Sequence, residues 1–198
     1  MDKKEQTTET YNKSAKELAN KFDNQGARIT DIEDIFRVIK KNNPNTLEIG
    51  CGNGRDAKEI LKYTNKYLGI DISRELIKLA KEKVPQGNFN VIDVENFEFP
   101  KNLDVVIAFA SLLHNDEENV KIIFNKVFES LNDNGVFFVS LKYGDKYKEI
   151  TKNDEFGIRT FYLYSSDKIK ELSNKFKIIK EDIRDLRGQK WIDVLLQK

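Results

Sequence analysis

One cysteine, one histidine, one tryptophan and three prolines are all that the 198 residues hold of these types. With Cys51 alone no intramolecular disulfide can form, and Cys51 with His114 cannot supply the several sulfur and nitrogen ligands of a zinc site, so no metal is expected. Charge of one sign is missing too. Lys+Arg number 34 and Asp+Glu 33, a formal net of +1, so no global field draws the chain to nucleic acid or a membrane surface. No apolar run nears the ~20 residues of a membrane span. The opening MDKKEQTTET lacks an apolar centre, so neither a signal peptide nor an anchor is expected, and the expected location is cytoplasmic. What the chain does have is charge, 34% of residues, interspersed with apolar positions. That composition and length fit one globular domain with a substantial core.

After a polar tail, YNKSAKELANKF places Tyr11, Ala15, Leu18, Ala19 and Phe22 at helical spacing. TDIEDIFRVIKK predicts a second helix, with Thr30 and Glu33 as a capping box and Ile32, Ile35, Phe36 and Ile39 on one face. Alternation then begins. TLEIG, YLGID, FNVID, LDVVIAFA and GVFFVSL read as strands, and helical patterns at 55–63, 73–83 and 116–131 separate them. Strands apolar enough to be covered on both faces, taking turns with helices, predict an open parallel sheet of the α/β class. After a helix near 166–174, FKIIKEDIRD and KWIDVLLQK flank LRGQ, which predicts a closing hairpin and hence an antiparallel strand.

The chemistry gathers at NTLEIGCGNGRDA, where Gly50, Gly52 and Gly54 alternate after Glu48 between a strand and a helix. A dinucleotide fingerprint spaces its last two glycines three apart; here they are two apart. Alone, the loop is equally compatible with a tight turn that meets no ligand. Asp71 ends the second strand, where a carboxylate can take both hydroxyls of a ribose, and Ile72 can flatten against a base. Asp93 and Val94 end the third, within reach of an adenine edge, and AFASLLHN ends the fourth. Open α/β sheets bind ligands in the crevice outside these strand ends.

With LEIGCGNG, GIDIS, IDVENF, LDVVIAFASLLHN, LNDNGVFFVSLK and the hairpin in this order, the chain resembles the class I S-adenosylmethionine-dependent methyltransferases, in particular their small-molecule members. The resemblance implies a Rossmann-like sheet of seven strands in order 3-2-1-4-5-7-6, strand 7 antiparallel and helices on both faces. It further implies S-adenosyl-L-methionine as cofactor, S-adenosyl-L-homocysteine as product, and methyl transfer by in-line displacement. Carried onto this sequence, the cofactor residues would be Tyr11, Glu48, Gly50, Cys51, Gly52, Asn53, Gly54, Arg55, Asp71, Ile72, Asp93, Val94 and Ala108, the last near the sulfonium. Residues 1–43 would form a helical cap over the cofactor and 143–165 a substrate-side insertion within a single domain, 1–198.

Transfer from a sulfonium needs alignment more than a fixed catalytic residue. His114 follows the fourth strand and can serve as base or as a positioning group. The sheet order brings Lys142 and the start of the last strand to the ligand-binding rim, together with the turn that carries Arg187. Arg159 and the aromatic run of Phe161, Tyr162 and Tyr164 lie in a crossing segment able to fold over the pocket. His114, Lys142, Arg159, Tyr162 and Arg187 are therefore the expected acceptor contacts, suited to a small, anionic molecule. A wobble-uridine type tRNA methyltransferase, a non-catalytic S-adenosylmethionine-binding protein and a nicotinamide-dependent oxidoreductase are the competing readings. A monomer or homodimer is expected.

Overall fold

The computed structural model describes residues 1–186 and 188–198. Three helices come first: α1 (Lys3–Lys13), α2 (Ala15–Gln25) and α3 (Ile29–Ile39). The alternating region then gives β1 (Thr46–Ile49), α4 (Ala57–Ile60), β2 (Tyr67–Asp71), α5 (Arg74–Lys83), β3 (Phe89–Val91), β4 (Leu103–Phe109), α6 (Glu117–Ser130) and β5 (Leu131–Tyr143). The chain closes with β6 (Lys148–Asp154), β7 (Gly157–Tyr164), α7 (Ser166–Leu172), β8 (Lys177–Leu186) and β9 (Gln189–Gln197).

Strands β3, β2, β1, β4 and β5 pair in parallel in that order. β9 joins β5 antiparallel and β8 closes the edge against β9. This is the expected order 3-2-1-4-5-7-6, with β9 in the place of strand 7. The period-2 pleat divides the apolar strand residues between two cores. Val106, Ala108, Phe137, Val139 and Leu141 pack on the side of α6 and α7. Val105, Ile107, Phe109, Val136 and Phe138 pack on the side of α3 and α5. Both faces are covered, as a parallel sheet requires.

Among the described residues the sheet has nine strands rather than seven. The additional pair is the β6–β7 hairpin, lying in what the sequence suggests is a crossing segment. Its outer strand β6 is polar at almost every position and shows no alternation to read. Lys142 of β5 pairs with Trp191 of β9 and also with Leu163 of β7. A strand has two edges and β9 takes one, so β7 occupies the edge that β4 leaves free beyond the Phe109–Ser140 pair. The hairpin thereby stands over the carboxyl end of β4.

The N-terminal tail is also a correction, because residues 3–13 are helical. Asp2 caps α1 by accepting from the Glu5 N–H while its own N–H donates to the Glu5 carboxylate. The helix carries no apolar stripe because it docks through hydroxyls. Thr7 Oγ1 accepts from Thr160 N (3.1 Å), Thr10 Oγ1 donates to Ile158 O (2.7 Å) and Ser14 Oγ donates to Phe156 O (2.8 Å). Those three groups belong to or adjoin the open edge of β7, which would otherwise lack partners. The expected single helix over 11–22 is interrupted at Ser14. The Thr30–Glu33 capping box is absent, since α3 begins at Ile29 with Arg28 at its N-cap. The helix expected over 55–63 shortens to α4.

Candidate functional site

The carboxyl ends of β1, β2 and β4, the turn after β3, and helices α1 and α2 enclose a cavity of about 390 Å³. That size suits a small ligand. The three glycines of the loop after β1 do different work. A Cβ on Gly50 would lie 2.1 Å from Ser111 Cβ, so this glycine serves close packing against the turn after β4. A Cβ on Gly54 would press on Ala80 at 3.3 Å, so that one admits α5. Gly52 alone lines the cavity with open space where its Cβ would stand, at a φ of +56°. Bare backbone therefore lines the ligand space at Gly50 and Gly52 but not at Gly54, and only Gly52 has open room beside it.

Asp71 is tied to the same loop. Its Oδ2 accepts from Gly52 N (2.9 Å) and its Oδ1 from Ser73 N (2.8 Å), while burial raises its pKa above the usual carboxylate range. The Asp71 carboxylate is thus oriented before any ligand arrives, with lone pairs left on each oxygen. Ile72 and Val94 also line the cavity. Asp93 does so too, but its Oδ2 accepts from Lys4 Nζ at 2.5 Å, and Lys4 also reaches Glu95 at 2.7 Å. Sequence reasoning missed Lys4 because it lies in the helix read as a tail.

Cys51, Asn53 and Arg55 line the cavity as anticipated, with other duties. Asn53 Nδ2 donates to Ala19 O and to Asp23 Oδ1, anchoring the loop to α2. Burial pushes the Cys51 thiol up, leaving it a small apolar filler. Arg55 is held by Asp56 (Nη2 to Oδ2, 2.6 Å), and the same carboxylate binds Arg28 Nη1 at 2.7 Å. Arg28 lines the cavity as well and was not foreseen; no pattern around Gly26 marks it.

Besides Gly54, three expected contacts fall elsewhere. Glu48 projects from β1 into the core shared by α3 and α5, because its neighbours Leu47 and Ile49 take the opposite face. There Tyr67 Oη donates to it at 2.5 Å, and burial, with Asp56 nearby, raises its pKa to about 8. Ala108 is fully buried inside β4, one residue before the strand ends, so Ala110 and Ser111 face the cavity instead. Tyr162 points away and stacks on Tyr147 with centroids 5.9 Å apart, while its neighbour Phe161 lines the cavity. Arg187 lies outside the described residues.

The remaining acceptor-side residues do come together. Tyr11, His114, Lys142, Arg159, Phe161 and Trp191 line one end of the cavity. His114 Nδ1 is 2.6 Å from Thr160 O, so it carries the proton, and Nε2, 2.9 Å from Tyr11 Oη, accepts. Burial lowers His114 to about 4, and the cations of Arg159 and Lys142 add to this. His114 is therefore a neutral, doubly bonded ring and a poor proton acceptor. Lys142 is lowered to about 8 by burial and by the positive charge of Lys152 and Arg159.

The sequence matches a family described as a methyltransferase domain over residues 46–135. A protein of Methanocaldococcus jannaschii is 36% identical over 149 residues, covering 73% of this chain and 55% of its own length. Malonyl-[acyl-carrier protein] O-methyltransferase 1 of Ilyobacter polytropus is 28% identical over 192 residues, covering 84% of this chain and 70% of its own. The magnesium protoporphyrin IX methyltransferase structure from Synechocystis superposes with a TM-score of 0.77 at 13% identity, over 100% of this chain and 98% of that one. The chain thus resembles a methyltransferase domain in sequence over residues 46–135, and shares the fold of solved S-adenosylmethionine-dependent methyltransferases. It spans about half the length of the Methanocaldococcus relative.

Proposed function

We propose that the protein is an S-adenosyl-L-methionine-dependent methyltransferase acting on a small, anionic acceptor. The observation that carries this reading is the Asp71 carboxylate, held by Gly52 and Ser73 N–H groups at the mouth of the crevice beside the bare backbone of Gly52. When bound there, S-adenosylmethionine supplies an electrophilic methyl group on a sulfonium, which an acceptor atom displaces in line. Asp71 accepts from the ribose hydroxyls, and Ile72 and Val94 face the base. Asp93 accepts from the exocyclic amine of adenine after exchanging Lys4. Tyr11, with its hydroxyl on His114, screens the reacting end from water. The reduced basicity of His114 assigns it to holding Tyr11 in place rather than to removing a proton.

Support for a small acceptor comes from the fold relative named for magnesium protoporphyrin IX, and the sequence relative is named for a malonyl group borne on a carrier protein. Support for its negative charge comes from Lys21, Lys142, Lys152 and Arg159, which face Asp154 at that end of the cavity. Calorimetric titration with S-adenosylmethionine tests the reading: the wild type binds, and Asp71→Ala weakens binding about tenfold or more. Unchanged affinity in that variant would overturn it. Release of S-adenosylhomocysteine from a panel of small carboxylates, amines and thiols, with tRNA included, then finds the acceptor.

A further inference from the structure

Among the described residues, the only buried side-chain polar atom without a hydrogen-bond partner is Arg159 Nε. Arg159 is 8% exposed, lines the cavity from β7, and spends Nη2 on Asp154 Oδ2 at 2.5 Å. A buried, charged N–H left unpaired is costly, so native structures seldom keep one without a ligand to receive it. Lys142, 7% exposed on β5, is the second cation at this end, and no carboxylate among the described residues lies within 4.0 Å of its Nζ. Its Nζ stands 3.7 Å from the centroid of the Phe161 ring, and the Arg159 guanidinium carbon is 5.4 Å from the same centroid. Two buried cations thus share one aromatic ring with a single carboxylate, Asp154, beside them.

We infer that the acceptor carries a carboxylate separate from its nucleophilic atom, and that Arg159 Nε and Lys142 Nζ form the seat for that carboxylate. The inference rests on the methyltransferase reading. His114 packs against Phe161 with centroids 4.7 Å apart, while Arg159 and Lys142 gather around the same ring. An acceptor anchored by these cations presents its remaining atoms toward His114 and Ala110, where β4 ends at the crevice. A carboxylate fits better than a phosphate dianion, because Asp154 already neutralises much of the Arg159 charge and would repel a second full charge. Charge-assisted bonds from arginine and lysine to a desolvated carboxylate are among the strong hydrogen bonds of proteins. Phe161, Leu113 and Trp191 supply an apolar wall for the body of the molecule.

The test uses the full chain saturated with S-adenosylhomocysteine, titrated with benzoate, phenylacetate and butyrate, each against its neutral amide. The expected result is that the carboxylate of at least one pair binds about tenfold tighter than its amide, a difference near 1.4 kcal/mol. Arg159→Gln and Lys142→Met should each erase most of that preference while the S-adenosylhomocysteine affinity stays at its wild-type value. Lys142→Met removes no ion pair, so it decides the matter should Arg159→Gln fail to fold. Equal binding of acid and amide, no binding of any carboxylate at tens of millimolar concentration, or a preference that survives in the folded variants would overturn the inference. Failure of S-adenosylhomocysteine to bind the wild type would instead overturn the underlying functional reading.

Discussion

Tyr11 Oη and His114 Nε2 lie 2.9 Å apart and join the N-terminal helix to the end of β4. Because Nδ1 of the same ring donates to Thr160 O, both nitrogens of the sole histidine are committed. The imidazole should remain neutral, Nδ1-protonated, from pH 8 down to about 5, since burial holds its pKa near 4. Long-range nitrogen-proton NMR of this single histidine reads the tautomer and the titration directly. A base whose folded pKa is depressed gives stability that is present above its unfolded value, about 6.5, and is lost as pH falls toward 4. Melting temperature should therefore decline across that window, and less so in His114→Gln.

Tyr11→Phe keeps the ring and removes the donor. His114 Nε2 is then left buried without a partner, at a cost of about 1–3 kcal/mol. Combining Tyr11→Phe with His114→Leu should cost less than the sum of the two single changes, because the second removes the acceptor that the first strands. Chemical denaturation of the four proteins measures the coupling.

Glu48 predicts an opposite pH trend. Its pKa stands at about 8 in the fold against about 4.5 in an unfolded chain, so burial favours the protonated carboxyl. Stability from this group is complete below about pH 4.5 and is lost as pH rises to about 8. Glu48→Gln keeps an acceptor for Tyr67 Oη and cannot ionise. It should be neutral or slightly destabilising at pH 5 and stabilising by ~1 kcal/mol or more at pH 8.5, read from unfolding curves at the two pH values.

Gly50→Ala and Gly52→Ala separate packing from ligand approach. At Gly50 the new methyl meets Ser111 Cβ at 2.1 Å, so overpacking should cost ~1–3 kcal/mol, relieved in part by Ser111→Gly. At Gly52 nothing lies within 4 Å, and the cost is confined to the positive φ, ~1 kcal/mol. S-adenosylhomocysteine affinity should fall further in Gly52→Ala than in Gly50→Ala with Ser111→Gly, a comparison for calorimetry.

Carboxylate binding at the Arg159–Lys142 seat should weaken above about pH 8, where Lys142 loses its proton. Lys21, Lys152, Arg159 and Asp154 face the same end of the cavity, and a variant at Lys142 assigns the limb. Lys142→Arg should move it out of the accessible range, as benzoate titrations between pH 6.5 and 9.5 would show.

The parallel sheet was legible because its central strands are apolar at both pleat faces, and the closing hairpin because a glycine-bearing turn joins two long runs. Asp71 and Gly52 were legible for the same reason: strand ends set their places. The β6–β7 hairpin and α1 were not. β6 is nearly all polar, and α1 buries Thr7 and Thr10 where a pattern reader looks for leucine. Period-2 counting does distinguish Phe161 from Tyr162 and Glu48 from Leu47, but only after the register of each strand is known. Lys4 reaches the cavity from α1 and Arg28 from the N-cap of α3, and the patterns of those helices say nothing of the sheet.

The hydroxyls of Thr7, Thr10 and Ser14 hold the main chain of β7 and the turn before it, and no side chain there. Most substitutions on β7 therefore leave that docking untouched. Under the proposed function, the acceptor wall can be rewritten residue by residue while the enclosure around the methyl donor persists, so selectivity is free to diverge on a constant chassis.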